Sequence, residues 1–169
     1  TLTVRDSVGA SDQATTAVDI LDFGLTLTPS SGSVNGGTVV SLTGNGITGV
    51  SGISFNGVAV LNFIFADIQT ISVTVPVGTF PPGNVDVTVA ISGTTTTVPG
   101  GFTYTNDPPV ARARSEPGDY EIRENSILTL DATGSFDPNE PLGDQIAGYR
   151  WDLDGDGEFD RSGPLVSLN

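Results

Sequence analysis

Apolar residues return at every second position along the middle of this chain, in short runs broken by Gly, Pro and Asn. Val85, Val87, Val89 and Ile91 alternate with Asp86, Thr88 and Ala90, and Ile71, Val73 and Val75 alternate with Ser72 and Thr74. Successive strand side chains point to opposite faces, so this period-2 pattern belongs to half-buried strands packed on one side. Val40 and Leu42 carry another strand, and Val50 to Phe55 ends in Asn56-Gly57, a strong two-residue hairpin signal. Pro29 to Gly37, Pro76 to Gly83 and Gly93 are predicted turns, with Val58 to Phe65 returning from the hairpin and Thr94 to Tyr104 closing the unit. Seven or so strands at this turn spacing predict an immunoglobulin-like β-sandwich over 24–105.

Upstream, Leu2 and Val4 predict a strand, Asp6 to Gly9 a turn, and Ala14, Thr16, Val18 and Ile20 one face of a second strand. A lone hairpin of that size is marginal in water, so it must pack on something. Downstream, Asn106-Asp-Pro-Pro109 reads as a short stiff linker. Strands are then predicted at Val110 to Ala113, Tyr120 to Ile122, Ile127 to Leu130 and Ala147 to Leu153, the last with Ala147, Tyr149, Trp151 and Leu153 inward.

The only Trp leads directly into the run Asp152-Leu-Asp-Gly-Asp-Gly-Glu-Phe-Asp160. Counting from Asp152, oxygen-bearing positions fall at 1, 3, 5, 7 and 9 with Gly157 at 6, the spacing of an EF-hand-type calcium loop. The candidate metal ligands are Asp152, Asp154, Asp156, Glu158 and Asp160, with Glu158 offering its backbone carbonyl. Carboxylates about 4 Å apart repel by roughly 1 kcal/mol per pair in water and about 4 at an effective dielectric of 20, which disfavours an ordered loop without a cation. Position 12 is Gly163 rather than Glu, and no flanking helices are readable, so the pattern points to a calcium loop in a β-protein rather than a sensor. The alternative is a solvated acidic hairpin. Asp137 and Asp144 either lend an oxygen to the cation or only start turns.

Composition removes whole classes of chemistry. The 169 residues contain no Cys, His or Met, and all six basic residues are Arg. Disulfides, thiolate or imidazole metal sites, Ser-His and Cys-His nucleophiles, Schiff bases and Lys-Asn cross-links are therefore impossible. An enzyme would have to run on carboxylates, and five acids on one loop read as ligands rather than as a pair flanking a cleft, so no catalytic residue is assigned. A net charge of −14, with no basic residue in 24–105, argues against nucleic acid. No 18-residue apolar run is present. Since it opens at Thr1, the sequence is expected to be a processed or excised segment with any signal peptide or anchor outside it.

Two resemblances follow from these motifs. The run Leu27 to Gly46, the Ile53-Ser-Phe-Asn-Gly-Val58 hairpin, Val73-Thr-Val-Pro76 and Gly101-Phe-Thr-Tyr104 resemble an IPT/TIG domain. Pro108-Pro-Val-Ala111, Leu130-Asp-Ala-Thr-Gly-Ser-Phe-Asp-Pro138 and Tyr149 to Gly157 resemble a PKD-type domain, another immunoglobulin-like sandwich of secreted bacterial proteins. The PKD resemblance implies a strand begun at Leu165 to Leu168 and two more after it, ending in a Leu-Thr-Val-x-Asp-x-x-Gly pattern. That pattern stands instead at Leu2-Thr-Val-Arg-Asp-Ser-Val-Gly9.

The expected architecture is all-β, with two immunoglobulin-like sandwiches in tandem. The second is split between the C-terminal part of one copy and the N-terminal strands of another. Residues 1–23 supply terminal strands of a PKD-like sandwich, 24–105 the IPT/TIG-like sandwich, 106–109 the linker, and 110–169 the first part of a PKD-like sandwich. The function this implies is a subunit or repeat of a calcium-stabilised extracellular bacterial filament or adhesin rod, its partners being neighbouring copies joined head to tail. Separate chains exchanging strands and one covalent tandem array both fit, and an arbitrary crop or a fold-back of 1–23 onto 107–169 are the alternatives. The second functional reading is a carbohydrate-binding accessory module of a secreted polysaccharide-active protein, with Phe63, Phe65 and Phe80 as a stacking platform. No membrane insertion is expected within this segment.

Overall fold

The computed structural model describes residues 2–14, 23–116 and 126–168. Strand β1 (Leu2–Arg5) pairs antiparallel with β2 (Ser11–Ala14), from Leu2 opposite Ala14 to Arg5 opposite Ser11. The turn forms because Asp6 Oδ1 accepts the amides of Val8 and Ala10, and Gly9 takes a left-handed φ of 94°. Every residue from Thr3 to Gln13 is exposed. The predicted face of Thr16, Val18 and Ile20 lies outside the described residues.

The central unit packs two sheets face to face. One has the order β4-β11-β10-β6-β7, from β4 (Ser31–Ser33), β6 (Val50–Phe55), β7 (Val58–Ala59), β10 (Asn84–Ile91) and β11 (Thr94–Thr105). The other runs β3-β5-β9-β8, from β3 (Thr26–Thr28), β5 (Val39–Thr43), β8 (Phe63–Phe65) and β9 (Thr70–Thr74). The period-2 pattern does what it predicts: Val87, Val89 and Ile91 meet Val40, Leu42, Ile71 and Val73 in a fully buried core. Phe102 stands edge-on to Phe55 at 5.4 Å and to Tyr104 at 5.2 Å, contacts worth about 0.5–1.5 kcal/mol each beyond their burial. Asn56 and Gly57 both adopt positive φ, 48° and 80°, as the hairpin signal requires.

Two expectations for this unit are corrected. The Pro29 to Gly37 turn contains β4, paired parallel to the end of β11 from Ser31 opposite Thr103 to Ser33 opposite Thr105. It is an edge strand of small polar residues, so no apolar alternation announces it. Val58 to Phe65 is two strands rather than one, because the chain leaves β7 and crosses to the opposite sheet before β8. Its apolar residues line the rim of the sandwich, with Leu61, Ile64 and Phe65 exposed.

Beyond the linker, β12 (Arg114–Glu116), β13 (Leu128–Asp131) and β16 (Leu165–Leu168) form a three-stranded antiparallel sheet, and β14 (Arg150–Trp151) pairs with β15 (Arg161–Ser162). Here too the structure departs from expectation. Val110 makes only a single bridge, to Phe136, and regular pairing starts at Arg114, since Pro108 and Pro109 bring no amide donors to a ladder. The predicted Ala147 to Leu153 strand shortens to Arg150–Trp151, with Tyr149 and Trp151 half-buried and Ala147 and Leu153 exposed. Tyr120 to Ile122 lies outside the described residues. Among those described, the buried apolar residues of this unit are Ala132 and Val166, against sixteen in the central core. The chain is thus almost entirely β, built of several sheets in an immunoglobulin-like arrangement. No helix among the described residues is long and apolar enough to cross a membrane.

Candidate metal centre in the acidic loop

The β14–β15 hairpin holds the acidic loop by its two ends. The Asp160 amide donates to the Trp151 carbonyl at 2.8 Å, and the Trp151 indole N–H donates to the Gly163 carbonyl at 2.9 Å. Gly163, at position 12, therefore serves the Trp. Arg150 lies over the Phe159 ring, 5.6 Å from its centroid, which covers one side of the loop base.

Inside the loop, short side chains fold the backbone around themselves. Asp152 accepts the Gly155 amide through Oδ1 at 2.7 Å and the Gly157 amide through Oδ2 at 3.1 Å. Asp154 Oδ1 takes the Asp156 amide at 3.2 Å, and Asp156 Oδ1 takes that of Glu158 at 2.8 Å. Gly155 and Gly157 sit at φ of 78° and 93°, where a side chain would be strained. The result is that carboxylate oxygens of Asp152, Asp154 and Asp156 lie within 4.8 Å of one another, all exposed. The ion pair found among the described residues, Arg114 with Asp131, lies on the other sheet. Three carboxylates at this spacing, with no basic side chain paired to them among the described residues, offer oxygen donors of the kind that could hold a hard divalent cation.

The other two expected ligands are placed differently. Asp160 Oδ2 accepts the Leu153 amide at 2.7 Å, closing the loop across its mouth, and Glu158 lies outside the three-carboxylate group. Asp137 is 7% exposed and accepts the Asn139 amide at 2.7 Å, and Asp144 accepts the Gln145 amide at 2.9 Å. Both start turns, and neither is brought to the acidic loop. The aromatic platform is not flat: the Phe63 and Phe65 rings meet at 76° with centroids 5.7 Å apart, and Phe63 is half-buried against the core.

Comparison with known proteins bears on the central sandwich. No curated protein matches the chain. Among solved structures, the full extracellular region of plexin A4, domains 1 to 10, is similar at 24% identity and a TM-score of 0.45, over 64% of this chain and 9% of that one. The model of the IPT/TIG domain family matches residues 25–105, the stretch spanned by the two packed sheets. The central sandwich of this chain is accordingly an IPT/TIG domain.

Proposed function

We propose that this chain is a structural subunit or repeat of an extracellular bacterial filament or adhesin rod, assembled head to tail by completion of a PKD-like domain and stiffened by calcium. An immunoglobulin-like IPT/TIG sandwich is in general a structural or interaction module, which fits a scaffold rather than a catalyst. The observation that carries the reading is the β1–β2 ribbon. Among the described residues it pairs only within itself, and every side chain from Thr3 to Gln13 is exposed, although a two-stranded ribbon of this size is marginal alone.

A complementary feature supports it at the other end. An open cleft of about 280 Å³ is lined by Val110, Ala113, Ala132, Ile146, Tyr149 and Trp151, in the unit with few buried apolar residues. Val4, exposed on the ribbon beside its cross-strand partner Asp12, is the apolar side chain to lay there, and head-to-tail contact of this heterologous kind propagates rather than closes. Asp152, Asp154 and Asp156 would hold the calcium, with Asp160 and the Glu158 carbonyl at the remaining positions of the loop, and the ion would neutralise their mutual repulsion. The carbohydrate-binding alternative rests on the exposure of Phe65 and gains no common stacking plane from Phe63.

Light scattering and electron microscopy of the purified chain across a concentration series test the reading. Growth into linear assemblies, abolished by Val4→Asp, is expected. A monomer at all concentrations whose denatured mass equals one 17.3 kDa chain would remove strand exchange between separate chains.

A further inference from the structure

We propose that the junction between the IPT/TIG sandwich and the following unit is a locked joint rather than a hinge, keyed by Asp107 and Asn139. The residues between the IPT/TIG sandwich and the second unit are few, but shortness alone does not fix an angle. What fixes it is a loop of the second unit that reaches back past the linker. Asp107, the linker residue before two prolines, places Oδ2 where it accepts the Ser33 hydroxyl, the Asn35 side-chain amide at 3.1 Å and the Asn139 side-chain amide at 3.2 Å. Its own amide donates to Asn139 Oδ1 at 2.8 Å. Ser33 and Asn35 belong to the IPT/TIG sandwich and Asn139 to the second unit, so one carboxylate ties both to the linker.

The network has a second crossing that bypasses Asp107, because Asn35 Nδ2 also donates to the Pro138 carbonyl at 3.0 Å. Asn139 is fully buried, and its backbone amide is held by the nearly buried Asp137 at 2.7 Å. A buried amide side chain bonded at both its oxygen and its nitrogen cannot swing without leaving a polar atom unpaired, which penalises any change of angle. Leu142, on the 3₁₀ turn Glu140–Leu142, packs against the IPT/TIG core and adds an apolar contact to the polar one. Residues 24–116 and 126–168 therefore turn as one body, and a rod built from such chains keeps a defined angle at this joint under load. This holds whether or not copies assemble through the ribbon.

The chain has no cysteine, so two can be introduced for spin labels at the exposed positions Thr95 and Ser167, one on each unit. Distances measured by electron double resonance in labelled protein diluted with unlabelled protein report the joint even within assemblies. The expected result is one narrow distance in the parent, broadening to several in Asn139→Ala and in Asn35→Ala. The second variant removes two crossings from the IPT/TIG side without altering the second unit's own loop. A broad distribution in the parent, or a distribution that stays narrow in Asn35→Ala, would overturn the proposal.

Discussion

Asp152 closes the acidic loop by accepting the amides of Gly155 and Gly157 on its two carboxylate oxygens, at 2.7 and 3.1 Å. The residue that begins the loop thereby sets the curvature that carries Asp154 and Asp156 towards it. The loop backbone is shaped by the same side chains whose charges oppose its closure, and a cation that neutralised those charges would stabilise the folded hairpin.

Calcium at tenfold excess over a dissociation constant of about 10⁻³ M should add roughly 1.4 kcal/mol. For a unit of this size that is a rise in melting temperature on the order of 5–10 °C. Differential scanning fluorimetry with calcium and with chelator checks it. Asp154→Ala and Asp156→Ala should each lose the difference between the calcium and chelator values. An unchanged melting temperature in the parent would remove the metal from the proposal.

Tyr104 links two regions of the IPT/TIG core through its hydroxyl, which donates to the Pro76 carbonyl at 2.8 Å. Burial raises its pKa above the usual phenol value, because the ionised form loses solvation. The folded pKa exceeds the unfolded one, so this group's contribution is complete below about pH 10 and declines as pH rises through the unfolded value towards the folded one. Tyr104→Phe should cost about 1 kcal/mol at neutral pH. It should also flatten the alkaline limb of a urea-midpoint profile. An alkaline limb as steep as the parent's would assign that loss to other groups.

Asp131 behaves in the opposite sense. The Thr133 hydroxyl and then the Thr133 amide donate to its Oδ1, at 2.6 and 2.7 Å, and Arg114 lies 3.3 Å from Oδ2, so its pKa is lowered. A lowered folded value means that the contribution is present above the ordinary aspartate range near pH 3.9 and is lost as pH falls through the folded value. Removing the leading cause with Thr133→Ala should raise the Asp131 titration seen by carboxyl NMR towards the ordinary range. Acid unfolding should begin at higher pH. An unmoved titration would show that the amide and Arg114 suffice.

The IPT/TIG core was legible because its strands announce themselves: Val87, Val89 and Ile91 face inward, and Asn56-Gly57 turns where the dipeptide demands it. The acidic triad was legible for a similar reason, since alternate residues of a tightly curved loop share its inner side. Strand β4 was not, because Ser31-Gly-Ser33 carries no apolar face and is held by the edge of β11. The Val58 to Phe65 crossing was hidden by an apolar run, interrupted at Asn62 alone, that has no period to show where one sheet ends. Asp107 and Asn139 gave no local signal at all. They lie 32 residues apart, and their partnership exists only once both units are folded.

Gly36 and Gly37 separate two costs that are usually confounded. Both hold left-handed backbone, at φ 76° and 80°, so an alanine at either meets the same intrinsic penalty of about 1–2 kcal/mol. A Cβ on Gly37 would enter open space, whereas one on Gly36 would come within 2.7 Å of the Pro76 carbonyl carbon and the Val77 nitrogen. Backbone atoms cannot step aside as a flexible side chain does, so Gly36→Ala must push apart the turn and the Pro76–Gly78 segment, which is tied to Val34 by the Gly78 amide at 2.8 Å. Gly36→Ala should therefore lower the urea midpoint well beyond Gly37→Ala, and equal midpoints would show that the turn relaxes freely. Because Asn35 immediately precedes Gly36, the displacement also reaches the joint: in spin-labelled protein, Gly36→Ala should broaden the distance between the two units, while Gly37→Ala should leave it narrow.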